Sequence, residues 1–195
     1  KQPGHSDAPR REILLGRVCR SLGTLKAEEG HRGEALELFK QAVAALEPSA
    51  GSEAKDRGVR LECAGAWYGR GRRARRDGKI ADAVNALAKV PPLLDSKSNG
   101  TEPTAQERFL LARSRIEQGL AQRDSGAAEQ AMKSLFDAME EMVKLVETQK
   151  PSPQREEMAL TLAEAYTEFG DIVAGKLGGN DAKESHGEAT TILME

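Results

Sequence analysis

The sequence predicts an all-α fold in which about four antiparallel helical hairpins stack as an α-solenoid. Three observations predict it. Gly30, Gly78 and Gly126 lie 48 residues apart, twice in succession, and each carries a glycine seven residues before it (Gly23, Gly71, Gly119). Five residues after each stands an alanine (Ala35, Ala83, Ala131), and nine after, a large apolar residue (Phe39, Leu87, Leu135). Helix formers dominate and β-branched residues are sparse in a chain that is 38% hydrophobic, 31% charged and only 4% aromatic. A repeat of this kind makes each unit one supersecondary piece that buries its apolar face by stacking on the next.

Residues 1–9, with Pro3, Gly4, Ser6, Asp7 and Pro9, read as a linker, and 10–195 as a single domain. The first unit covers about 10–50. Its first helix is expected over Arg10 to Glu29, on the periodicity of Ile13, Leu14, Val18, Leu22 and Leu25. Gly30 and Gly33 bracket a short turn. A second helix runs over Glu34 to Leu46, with Ala35, Leu38, Phe39, Ala42 and Leu46 on one stripe, and is ended by Pro48, Gly51 and the serines.

The second unit, about 56–97, pairs a helix over Asp56 to Arg76 with another over Lys79 to Val90. Val59, Leu61, Cys63 and Trp67 mark the first, Asp77-Gly78 the turn, and Pro91-Pro92 the expected stop. SKSNGTEP at 96–103 is a loop. The third unit, about 104–149, places helices over Thr104 to Arg123 and Ala127 to Thr148 around Asp124-Ser125-Gly126. The fourth, about 154–194, follows Pro151 and Pro153 with a long helix over Gln154 to Lys176 and a weaker one over Asp181 to Met194. Short turns make each pair an antiparallel hairpin.

The glycine, alanine and large-apolar pattern resembles the tetratricopeptide repeat. Leu22-Gly23 falls on that family's Leu-Gly pair, Gly30 on its turn, and Ala35, Phe39 and Ala42 on its second helix. Trp67 takes the early Trp position of the second unit, with Gly71 and Ala83 in register. Gly119, Ala131, Leu135 and Ala138 match in the third; in the fourth, Tyr166, Phe169 and Gly170 fit about three residues late. The resemblance covers about 16–175 and implies a right-handed solenoid, although the family period is ~34 residues and this one carries about 14 more per unit. The long period is similar to that of arrays following kinase or other signalling modules in some bacterial multidomain proteins. The resemblance thus implies a protein-interaction scaffold or regulatory module rather than an enzyme.

Charge narrows the partner classes. The formal net charge of −2 argues against bulk attraction to nucleic acid or membrane. It hides an asymmetry: residues 57–76 hold seven arginines and one acid, Glu62, whereas 151–195 hold three basic and nine acidic residues. The run Arg70, Arg72, Arg73, Arg75, Arg76 has three readings: a solvated face with cations near a helix C-terminus, a site for an acidic peptide or carboxylate, or a nucleic-acid contact.

The groove positions implied by the resemblance favour an acidic peptide over nucleic acid. They fall on Arg17, Arg20 and Thr24, on Tyr68, Arg72 and Arg75, and on Arg113 and Ile116. Arg20, Arg72, Arg75 and Arg113 would anchor the peptide, with Tyr68 as an apolar contact. The family's clamp for chaperone tails is not reproduced, because Thr24, Gly69 and Glu117 stand at its polar positions. Alternatively, the arginines pair within the chain with acids such as Glu62 or Glu107.

Two motifs invite nucleotide readings. Gly69-Arg70-Gly71-Arg72-Arg73-Ala74 fits a dinucleotide fingerprint, and Gly170 to Lys176 nearly fits a phosphate loop. Neither follows a strand, and Leu177 stands where the loop needs a hydroxyl. His5, His31 and His186 lie far apart, so no metal, cofactor or catalytic constellation is expected. Met132, Met139 and Met142 read as core packing or as an adaptable surface. If the fourth pair leaves the stripe of Leu135, Phe136, Met139, Val143 and Val146 open, it offers a homodimer face. Cys19 and Cys63 read as buried free thiols. The opening residues lack an initiator Met and a signal-like core, and read as part of a longer chain. They leave the compartment open between the cytoplasm and the extracytoplasmic part of a membrane-anchored protein.

Overall fold

A computed structural model describes residues 8–50, 56–94 and 102–177. The described residues form helices and no strands: α1 (Ala8–Glu28), α2 (Arg32–Leu46), a 3-10 turn (Glu47–Ser49), α3 (Arg57–Arg76), α4 (Ile80–Leu87), α5 (Val90–Leu94), α6 (Ala105–Asp124), α7 (Ala128–Thr148) and α8 (Pro153–Leu177). The expected last helix, 181–194, lies outside the described residues. The chain divides into two compact units, Lys1–Pro103 and Thr104–Glu195.

The three repeat glycines end α1, α3 and α6 in the same way. Gly30, Gly78 and Gly126 have φ of 81, 73 and 85° and are the positive-φ residues of the described chain. The amides of His31, Lys79 and Ala127 donate to the carbonyls of Lys26, Ala74 and Gln122 at 2.9, 2.9 and 2.8 Å, and each glycine amide donates three residues back. These are Schellman caps, which need a residue free to enter the left-handed region. The next helix begins two residues later in each case, so the chain reverses at once.

The preceding glycines serve a different end. A Cβ on Gly71 would lie 2.6 Å from Leu87 Cγ, one on Gly119 2.9 Å from Leu135 Cγ, and one on Gly23 3.2 Å from the Phe39 ring. The apolar residue of each second helix therefore presses onto the bare backbone of the first. Ala35, Ala83 and Ala131, all fully buried, complete each close crossing. The repeat is thus a packing rule: one glycine turns the chain and another lets the two helices approach.

In the first unit, α3 packs against α1, α2, α4 and α5. Asp56 Oδ1 starts α3 by accepting the amides of Gly58 and Val59 at 2.9 and 3.2 Å. Leu46, Val59, Cys63, Leu87 and Val90 are buried in this unit. Pro91 and Pro92 do not stop a helix that reaches Val90. The helix of Ile80 ends at Leu87, and both prolines lie in the first turn of α5, where their missing amides cost nothing.

The second unit packs α6 on α7, and both against α8. Its core gathers Phe109, Ile116, Leu135, Met142, Leu145, Met158 and Leu162. Met139 and Met142 belong to this core and Met132 packs against it, whereas Phe136 stays exposed. A capping box opens α6: Thr104 N–H donates to Glu107 Oε2 at 2.7 Å and Glu107 N–H to Thr104 Oγ1 at 3.3 Å. The Glu107 carboxylate thus closes the start of its own helix.

The burial of α1 departs from its periodicity. Gly16, Cys19 and Gly23 face inward, while Leu14, Leu15, Val18, Leu22 and Leu25 are 39 to 62% exposed. Close contact with α2 requires small residues on α1, which turns its large ones outward.

Candidate functional site

The basic segment lies on α3. Its arginines differ in environment. Arg57 Nη2 donates to the Glu102 carbonyl at 2.6 Å. Arg60 and Arg73 are buried, and Arg73 Nη2 donates to Asp77 Oδ1 at 2.6 Å. The Arg70 guanidinium stands 4.9 Å from the centre of the Trp67 ring, a cation–π contact. Arg72 and Arg75 are half-buried and Arg76 is exposed, in the last turn, where the helix dipole favours cations. Tyr68, Arg72 and Arg75 follow at helical spacing on one face of α3.

Arg17 and Arg20 lie on α1, against α3. Arg17 Nη2 would be 3.4 Å from a Cβ on Gly58, and its Nε is buried without a hydrogen-bond partner. The Arg20 stem crosses Gly65, with Cδ 3.2 Å from where a Cβ would stand, and its Nε donates to Glu62 Oε2. Two of the expected peptide positions thus belong to the contact between successive first helices.

The second unit repeats this arrangement. Arg113 Nη1 donates to Glu157 Oε1 at 2.8 Å, and its guanidinium lies 5.2 Å from the centre of the Phe109 ring. Further along α6, Arg123 donates to Glu168 and, at 2.9 Å, to Asp124. Burial opposes the Arg123 charge, but the Asp124 and Glu168 carboxylates outweigh it and raise its pKa. Arg20–Glu62, Arg113–Glu157 and Arg123–Glu168 all join a first helix to the first helix that follows it. The expected pairing of arginines with acids of their own chain is realised at Glu62, and the Glu107 carboxylate accepts from Thr104 in the cap of α6.

The Arg123–Glu168 bridge has a signal in the sequence that composition does not expose. An arginine of one first helix is followed, 42 to 45 residues later, by a glutamate of the next. The capping box is legible as Thr-x-x-Glu at 104–107.

Both nucleotide-like motifs lie inside helices. Residues 69–74 belong to α3 and 170–176 to α8. Amides within a helix bond its own carbonyls, so these segments form no phosphate-cradling loop. Among the described residues, no group of His, Cys, Asp and Glu side chains is arranged to hold a metal ion. No helix of the described residues is long and apolar enough to cross a membrane. No family model matches the chain, and no curated protein matches its sequence.

Proposed function

We propose that the chain is a non-catalytic protein-interaction module of the tetratricopeptide type, a right-handed solenoid regulating or scaffolding a larger bacterial signalling protein. The observation that carries this reading is the threefold recurrence of one hairpin. The same left-handed glycine cap, glycine crossing and buried alanine recur at 48-residue spacing. Repeated hairpins present extended surfaces made of side chains from successive units, and binding is the usual use of such surfaces.

The ligand class follows from α3. Its last turns offer Tyr68, Arg72 and Arg75 on one face, and Arg forks match carboxylates in geometry and charge. An acidic, extended peptide segment therefore fits best. Arg17 and Arg20 seat α1 against α3 and Arg113 bonds Glu157, so in this reading they support the framework, and Arg72 and Arg75 meet the carboxylates of the peptide.

A fluorescent acidic peptide of about twelve residues, rich in Glu and Asp, tests the reading by anisotropy. Changing Arg72 and Arg75 together to Glu should weaken capture at least tenfold, as expected for reversing two charges at a contact. Far-ultraviolet circular dichroism should stay unchanged. Undiminished capture by the folded variant overturns the assignment, as does equal capture of a single-stranded oligonucleotide.

A further inference from the structure

The outward face of α1 carries Leu14, Leu15, Val18, Leu22 and Leu25, which are the exposed large apolar residues among the described residues of the first unit. Together they expose on the order of a few hundred Å² of apolar surface, the range in which patches mark interaction sites. The repeat shows what such a face receives. Forty-eight residues on, Cys63 and Ala66 of α3 are fully buried, and Gly69 lies against the Phe39 ring of α2. The equivalent positions of α1 are Leu15, Val18 and Ser21, all exposed. This is a face shaped to take a helix, and on α1 its large side chains stand in water.

Its ends identify the helix. The stripe runs Arg11, Leu15, Val18, Leu22, Leu25, Glu29, with spacings of four, three, four, three and four residues. These are the a and d positions of a coiled-coil seam, and the order is the same read from either end. Two copies laid antiparallel set Leu15 against Leu25, Val18 against Leu22, and Arg11 against Glu29 at both ends. Parallel copies would set Arg11 against Arg11 and Glu29 against Glu29. Arg11 is exposed, and Glu29 is 43% exposed with Lys26 Nζ on its Oε2 at 2.9 Å, leaving a second carboxylate oxygen for an incoming guanidinium.

We propose that this face pairs with the same face of a second copy of the chain, as an antiparallel two-helix seam closed at each end by Arg11 and Glu29. The pairing is isologous, so it stops at a dimer. It is independent of the acidic-segment site on α3 and uses α1 rather than the C-terminal pair.

Sedimentation equilibrium of the 195-residue chain from ~1 to ~500 μM tests it, a range suited to an interface of this modest size. The expected mass rises from one chain towards two. Arg11→Glu and Glu29→Arg should each weaken the dimer about tenfold or more. The double reversal should restore it, and an equimolar mixture of the two single variants should form a heterodimer. Leu22→Glu should abolish association. The charge variants sit in solvent and leave the helical circular dichroism unchanged, so they remain decisive if Leu22→Glu disturbs the fold. A mass of one chain throughout overturns the proposal. So does a dimer indifferent to Arg11→Glu, a double reversal that fails to restore it, or association that continues beyond two chains.

Discussion

Arg20 on α1 reaches across Gly65 of α3 to donate to Glu62, so a charged pair and a missing side chain together seat one first helix on the next. The two side chains are 33 and 24% exposed, between a surface bridge and a buried one. The stem needs the space over Gly65, and the head needs the acid three residues earlier.

The pair should therefore show coupling. Arg20→Ala and Glu62→Ala are each expected to lower stability by about 1 kcal/mol, with a double-mutant coupling of about 0.5–1 kcal/mol. Urea denaturation of the four proteins measures it. Additive losses would show that the two groups merely lie near one another.

The two classes of repeat glycine should respond differently to alanine. Gly71→Ala drives a Cβ to within 2.6 Å of Leu87 Cγ and 3.3 Å of the Ala83 carbonyl, with Leu87 fully buried and unable to yield. Overpacking of this kind costs about 1–3 kcal/mol, and Leu87→Ala should relieve part of it. Gly78→Ala meets no atom within 4 Å but must hold φ near 73°, a cost of about 1–2 kcal/mol. Gly33→Ala, in the first turn of α2 with open space around it, should stabilise by about 0.5–1 kcal/mol. Urea midpoints of the three variants rank these effects, and a neutral Gly71→Ala would refute the crossing role.

Cys63 should make the fold sensitive to alkali. It is fully buried, and burial, with Glu47 nearby, pushes its thiol from the ordinary 9.0 up to about 12. The unfolded chain ionises above pH 9 while the folded one does not. The folded pKa being raised, the stabilising difference is present below pH 9 and is lost as pH rises from 9 towards 12. Cys63 should add a downward slope of about one proton to the unfolding free energy over that window, and Cys63→Ala should remove that contribution. Thiol reagents at about pH 8 should label Cys63 only as fast as the unit opens.

Much of the local structure can be read without coordinates. The turn glycines, the crossing glycines and the alanines follow from spacing, because a positive φ and a close helix approach are demands that few residues other than glycine and alanine meet. Asp56 and Thr104 at helix starts are local hydrogen-bonding choices of the same kind. Pro91-Pro92 is legible as punctuation but not in sense: proline breaks a helix from within and is welcome in its first turn, and only the break after Leu87 distinguishes the two.

The sequence by itself determined the three hairpins of the described residues, their glycine caps and the crossings of Gly23, Gly71 and Gly119 with Phe39, Leu87 and Leu135, since each depends on residues within about sixteen positions of one another. Tertiary structure decided which face of α1 is buried and what the arginines touch. Apolar residues surround α1 on more than one side, so periodicity cannot choose between Gly16–Cys19–Gly23 and Leu15–Val18–Leu22. The choice falls to the small residues because they allow the helices to come closest. Arg20, Arg113 and Arg123 find Glu62, Glu157 and Glu168 more than forty residues away. Whether a cation faces solvent or an acid of its own chain is a property of the space between helices, which no local pattern records.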